Sequence, residues 1–304
     1  MHRKEWKMPR FIKFLLRIIV AVMILYAGLS ILGAVLVMSI PRVPVESSPA
    51  SVGLAYSDVS FPARNTDIIL KGWYLQGQGD QTVLIVHGGF QNRVDNVVDT
   101  LDLTRSLVDK GYNVLLFDLR GRGASQGKGL NMLTNESDIG GAVDYLKSRG
   151  ILTENIGILG FCSGAATTAI FAGQENIGAI VLDGCFTTAR TMVLAQAATR
   201  RIPHFLVDFF YPGLSFSVKT CYGSVPIDPI NIMPQIKCPI LFIHEENDNL
   251  NTSQETDQLL QASINPANKI WEISSALHSE GYKTHPTQYI DKVDSFLKAQ
   301  LGTP

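Results

Sequence analysis

The sequence predicts an α/β fold, a mostly parallel central sheet flanked by helices, preceded by one N-terminal transmembrane helix. Short β-branched apolar runs alternate with helical segments from residue 82 to residue 299, and strands separated by helices imply βαβ crossovers. The 23 residues from Ile18 to Ile40 carry no charge, long enough for a helix to cross ~30 Å of hydrocarbon. In residues 155–170, NIGILGFCSGAATTAI, an apolar strand passes through a glycine-bounded turn into a small-residue helix.

The 304 residues can bury one large core besides the apolar run. A net charge of −1 hides an asymmetry: residues 1–17 hold six Lys or Arg against Glu5 alone, and the remainder carries −6. With the basic side before the apolar run and only Arg42 close behind it, the N-terminus is expected in the cytoplasm and the domain outside the cell membrane. A cleaved signal peptide is the alternative, but its apolar stretch is usually ~7–15 residues with a small-residue cleavage site. This run is longer and ends Met38-Ser39-Ile40-Pro41. The acidic remainder gives no reason to expect nucleic acid as a partner. The cysteines, Cys162, Cys185, Cys221 and Cys238, are too few for a disulfide scaffold, and Cys221 and Cys238 are either paired or two buried thiols.

This divides the chain into a basic N-terminus (1–17), a transmembrane helix (18–40), a linker (41–55) and a domain (56–304). PRVPVESSP, residues 41–49, reads as an extended tether. The runs Tyr56 to Phe61 and Ile68 to Leu75 predict an antiparallel hairpin. Thr82 to Val86 is a buried strand emptying into His87-Gly88-Gly89-Phe90, where paired glycines let backbone N–H groups approach a ligand and His87 shapes the loop. A helix is expected from Asn96 to Lys110 and a strand from Asn113 to Phe117. The following turn, RGRGASQG from Arg120 to Gly127, lacks the Gly-Lys-Ser/Thr ending of a phosphate-binding loop, and Asp118 and Arg120 are expected to pair and hold it.

Glu136 to Arg149 reads as a helix stopped by Gly150, and Ile177 to Leu182 as a strand ending at Asp183. Residues 187–225 break the alternation with a partly helical, aromatic-rich segment. Then come the strand Ile240 to Ile243, a helix from Ser253 to Ala262, the strand Lys269 to Ile273 and the final helix, Pro286 to Ala299, with His285 as its cap.

The glycines decide which side chain sits at the tip of the 160–164 turn. Such a corner needs minimal side chains two before and two after the tip, so Gly160 and Gly164 select Cys162; Ser163 would put bulky Phe161 in that role. Here the chain resembles the α/β-hydrolase superfamily, with G-F-C-S-G in place of G-x-S-x-G, and dienelactone hydrolases also carry Cys at this point. The likeness runs from about Tyr56 to Leu297 and is nearest the serine-aminopeptidase-like and prolyl-oligopeptidase-like branch. It implies an α/β-hydrolase fold in which residues 187–225 form a small lid over an apolar acyl pocket, and RGRGASQG resembles the D-x-R-G-x-G-x-S turn of the superfamily. It also implies oxyanion-hole N–H groups from Gly89 or Phe90 and from Ser163, an acid at Asp248 and a general base at His278. Glu246 has the right chemistry in the wrong register, and Asp183 is the runner-up acid; Glu245 stands where Gly is usual.

The order Cys162, Asp248, His278 matches the chain order nucleophile, acid, base of that fold. The expectation is a membrane-anchored hydrolase of esters or thioesters, with amides or peptides also in range, acting on a small acyl or peptide substrate without metal or organic cofactor. The alternative of another class is a catalytically inactive member in which the pocket binds a ligand or partner.

Overall fold

Eight strands form one sheet because their apolar, β-branched runs are covered from both sides, and the central strands are buried along their whole length. The computed structural model describes residues 9–129, 135–223 and 225–302; Arg3, Lys4, Glu5 and Lys7 lie outside them. The strands are β1 (Ser57–Pro62), β2 (Ile69–Leu75), β3 (Thr82–Val86), β4 (Asn113–Phe117), β5 (Ile156–Phe161), β6 (Ala179–Asp183), β7 (Ile240–Glu245) and β8 (Lys269–Ile273). They lie in the order 1-2-4-3-5-6-7-8. β1 pairs with β2, and β2 with β4, antiparallel; every other pairing is parallel. β3 is flanked by β4 and β5, so the strand order reverses there, and ligands of open α/β sheets bind at the carboxyl ends of strands at such a point.

The helices are α1 (Arg10–Met38), α2 (Thr100–Asp109), α3 (Glu136–Ser148), α4 (Ser163–Ala172), α5 (Ala189–Thr199), α6 (His204–Tyr222), α7 (Pro229–Ile232), α8 (Ser253–Ala262), α9 (Gly281–Thr284) and α10 (Pro286–Gln300). Ala142, Val143 and Leu146 of α3 and Ala165, Ala166 and Ala169 of α4 pack with one face of the sheet, and Leu103, Leu107, Val293 and Phe296 of α2 and α10 with the other. α2 starts at Thr100, later than the periodicity predicts, because Asp95 accepts a hydrogen bond from Val97 N–H at 2.9 Å and Asp99 turns left-handed.

The turn after β4 is not held as expected. Arg120 pairs with Asp138 of α3, at 2.6 Å, while Asp118 accepts the N–H groups of Arg93 and Ala124 at 2.8 Å each. Arg93 and Asp138 lie far along the chain from the residues they meet, and burial of the carboxylates demands such partners.

Residues 39–48 contain no helix or strand and are fastened to the domain: Arg42 donates to the carbonyls of Gly123 (2.8 Å), Ser125 (2.6 Å) and Gly127 (3.1 Å), and Asn92 to that of Pro44 (2.9 Å). α1 is exposed over its first two turns and beyond, then buries Ser30, Ala34 and Met38 at a four-residue spacing. That stripe packs against α6.

α6 contains Pro212, which has no N–H to continue the helical ladder. Here Tyr26 of α1 steps in: its hydroxyl accepts from Gly213 N–H at 3.3 Å and donates to the Phe209 carbonyl at 3.1 Å. Its ring stacks on Phe210 at 5.3 Å. The crossing is close, since a Cβ on Gly213 would lie 2.3 Å from Ser30 Oγ.

At the carboxyl ends of β6 and β7, Asp183 and Glu245 are both fully buried, and Tyr289 of α10 donates to Asp183 Oδ2 at 2.6 Å. Burial raises the pKa of each carboxyl; hydrogen bonds from Glu245 and Tyr289 hold Asp183 back to about 6, while the charge of Asp183 pushes Glu245 further up, so the pair keeps a proton well above the ordinary carboxylate range. A folded-state pKa raised above the unfolded one contributes stability that is present at low pH and lost as pH rises through it.

Two outcomes follow in the full-length protein in detergent. Glu245→Gln leaves the Tm at pH 5 nearly unchanged and raises it at pH 8, by ~2–4 °C for each kcal/mol relieved; an equal shift at both pH values would mean that the pair is not titrating. Tyr26→Phe costs about 1 kcal/mol and speeds hydrogen exchange across Phe209 to Gly213 of α6, with α2 and α10 unchanged; unchanged exchange in α6 would remove the bridging role of the hydroxyl.

Candidate functional site

β5 runs into α4 through a single residue, Cys162, with φ 54° and ψ −121°. A positive φ is costly for any residue with a Cβ, on the order of 1–3 kcal/mol, and persists only where the surroundings impose it. Two glycines do so. A Cβ on Gly160 would sit 2.7 Å from Thr168 Oγ1 and 2.8 Å from Ala165 Cα, and one on Gly164 would sit 2.4 Å from the His87 carbonyl oxygen. The elbow is further pinned by Cys162 N–H donating to the Asp183 carbonyl at 2.8 Å. Cys162 is partly accessible, whereas Ser163 is buried inside α4. All the cysteines are free thiols; Cys221 is exposed and Cys238 buried.

His278 lies on the loop between β8 and α9, a segment shaped by left-handed Ser275 and Ser279. Its Nδ1 donates to Asp248 Oδ2 at 2.6 Å. The other carboxylate oxygen of Asp248 accepts the N–H groups of Leu250 (2.7 Å) and Asn251 (2.9 Å), which orients the acid toward the ring. His278 Nε2 is buried and has no oxygen or nitrogen partner among the described residues, which leaves it to the Cys162 thiol. Burial opposes charge on this ring, but Cys162 and then Asp248 outweigh it, so the pKa of His278 lies well above the ordinary imidazole value. The structure thus brings Cys162, His278 and Asp248 together. Glu246 is turned away, accepting Ser275 N–H at 2.9 Å, and Asp183 is committed to Tyr289.

Beside the elbow, the loop after β3 is held from beneath. His87 donates from Nδ1 to the Gly88 carbonyl at 2.7 Å and accepts Leu119 N–H on Nε2 at 3.1 Å, and its burial lowers its pKa. It is a neutral, structural histidine, as the sequence predicts. A Cβ on Gly88 would come within 3.5 Å of Cys162 Cβ. Arg122, fully buried, donates from Nε to the Gly89 carbonyl at 2.6 Å. In a trans peptide the carbonyl and the next N–H point in opposite directions, so gripping Gly89 O aims Phe90 N–H the other way. The N–H groups of Phe90 and Ser163 have no hydrogen-bond partner among the described residues.

Sequence reasoning missed Arg122 and Gly184. Gly184 has φ +62°, and a Cβ there would lie 2.7 Å from His278 Cε1, so the glycine makes room for the imidazole. The Asp183-Gly184 pair at a strand end was the available signal. His285 occupies the position before α10 but does not cap it with its side chain, which instead bonds the Ser274 carbonyl at 2.9 Å.

A cavity of about 280 Å³ opens over Cys162, walled by Phe90, Phe186, Met192, Ala195 and Leu250. Residues 187–225, the segment expected to form a lid, contain α5 and α6, with Met192 and Ala195 of α5 in this wall.

Residues 81–212 match the family model described as the α/β hydrolase fold; Asp248 and His278 lie beyond that match. The Bacillus subtilis protein YqkD is 25% identical over 240 residues, 75% of each chain. The α/β hydrolase domain-containing protein aho-3 of Caenorhabditis elegans is 24% identical over 226 residues, 73% of this chain and 58% of that one. Among solved structures, the Pyrococcus furiosus esterase Pf2001 superimposes with a TM-score of 0.72 at 26% identity, covering 87% of this chain and 100% of the esterase. Given the strand order, the elbow and these likenesses, this chain has the α/β-hydrolase fold.

Proposed function

We propose that the protein is a membrane-anchored hydrolase of carboxylic esters or thioesters, with amides and peptides in reach of the same chemistry, that uses Cys162 as nucleophile. The observation that carries this reading is the strained φ of Cys162 beside the hydrogen-bonded His278–Asp248 pair. His278 takes the thiol proton, and Asp248 holds the ring and offsets its positive charge. The sulfur attacks the acyl carbonyl, and the oxyanion rests on the N–H groups of Phe90, with Gly89 beside it, and Ser163. The leaving alcohol or thiol departs with the proton from His278, and water then hydrolyses the thioacyl intermediate. No cofactor enters these steps. The likeness to an esterase supports the reaction class.

The anchor is α1. At 29 residues it exceeds the ~20 needed to span a bilayer, and its N-terminal end carries Arg10, Lys13 and Arg17, so the N-terminus is cytoplasmic and the hydrolase domain faces outside the cell. Its packing of Ser30, Ala34 and Met38 against α6 supports retention over cleavage, since removal would strip the lid of a partner.

Two measurements test the reading. With p-nitrophenyl butyrate and the full-length protein in detergent, Cys162→Ala, His278→Ala and Asp248→Asn each lower kcat/KM by at least ~10³-fold, while Ser163→Ala, which keeps the backbone N–H, retains most activity. Loss with Ser163→Ala alone would move the nucleophile, and a folded protein inactive on every ester would favour a ligand-binding role. Second, Cys162→Ala lowers the pKa of His278, read by NMR of labelled histidine, because burial then acts against a ring that has lost its main raising partner. An unchanged titration would mean that the thiol is uncharged beside it.

A further inference from the structure

An apolar groove of about 310 Å³ runs between α1, α5 and α6. On α1 its wall is Leu29, Leu32, Gly33, Leu36 and Val37, a stripe at helical spacing separate from the Ser30, Ala34, Met38 stripe that packs on α6. Leu32 and Leu36 are 52% and 66% exposed, so this stripe is open. The opposite wall is Val193 and Ala197 of α5 with Leu206 and Phe210 of α6. Gln196 and Arg200 line both this groove and the cavity over Cys162, so the two spaces meet at those side chains. They are also the polar residues of a lining that is otherwise apolar.

On the reading that Cys162 is a hydrolytic nucleophile, we propose that the substrate is a bilayer lipid ester whose acyl chain lies in this groove, entering sideways from the membrane between α1 and the lid. The occupant follows from what walls the groove. One wall is the helix long and apolar enough to cross a membrane, so the open side faces lipid rather than water. Phe205, Phe209 and Phe216 of α6 are each more than 60% exposed, and a helix presenting such aromatics sits stably at a bilayer surface. From the groove, the chain passes Gln196 and brings its carbonyl to Cys162, while the exposed Arg200 and neighbouring Arg201 stand where a lipid phosphate would be met. A water-soluble short ester needs only the cavity over Cys162. The two parts of the site therefore separate experimentally.

The test uses full-length protein in phosphatidylcholine/phosphatidylglycerol nanodiscs, with Leu36→Trp and, as a second filling at an exposed position, Leu32→Trp. Hydrolysis of p-nitrophenyl palmitate is compared with that of p-nitrophenyl butyrate. In parallel, a phosphatidylcholine bearing a diazirine on a palmitoyl chain is photolysed and the labelled peptides are mapped. The expected result is a fall of ~tenfold or more in the palmitate-to-butyrate kcat/KM ratio, the factor that two buried methylenes supply, and labelling of Val193 to Leu206 that either tryptophan suppresses. An unchanged ratio, or labelling confined to the first half of α1, overturns the groove. If no ester is turned over, the hydrolase reading fails, and the photolabel alone still decides whether an acyl chain lies there.

Discussion

The corner at Cys162 exists because Gly160 and Gly164 offer no side chain to the atoms packed on them. Give either a methyl group and it collides with Thr168, Ala165 or the His87 carbonyl, so the β5–α4 connection would have to open. Everything near the site is referred to this corner. It places the sulfur at the tip of a sheet whose strand order reverses one strand away, and starts α4 with an N–H that has no partner among the described residues. The loop after β3 then lies against the corner, with Arg122 and His87 holding its carbonyls from below so that its N–H groups turn the other way. A strained residue over a rigid floor is the arrangement in which geometry is set before substrate arrives.

Charge around the site is arranged in depth. His278 meets Asp248 directly, and behind them lie Asp183 and Glu245, buried and short of hydrogen-bond donors apart from Tyr289. The deeper pair relieves its repulsion by keeping a proton, whereas Asp248 is met by two backbone N–H donors. Two kinds of acid thus sit within one cluster, sorted by whether the backbone solvates them.

Much of this was legible in the chain. Strand and helix alternation reads directly from periodicity, because burial on both faces leaves little choice of residue. The elbow was legible too, since steric exclusion around a turn depends only on which positions are glycine. What the sequence conceals is long-range pairing. Asp118 and Arg120, two residues apart, suggested a pair, yet each finds its partner elsewhere, in Arg93 and Asp138. Glu245 and Asp183 are 62 positions apart, and nothing in either neighbourhood announces the other. The contact of α1 with α6 is the extreme case: both are apolar helices, and apolarity alone does not say whether the neighbour is lipid or protein.

Tyr26 in the gap left by Pro212, with Arg42 gripping the turn after β4, has a mechanical meaning. A domain on a loose tether samples all orientations relative to its helix. Here the helix and the residues that follow it are joined to the domain at two points, one on α6 and one at the turn after β4. The domain therefore cannot swivel about α1, and the cavity over Cys162 is held at one distance and one bearing from the axis of that helix.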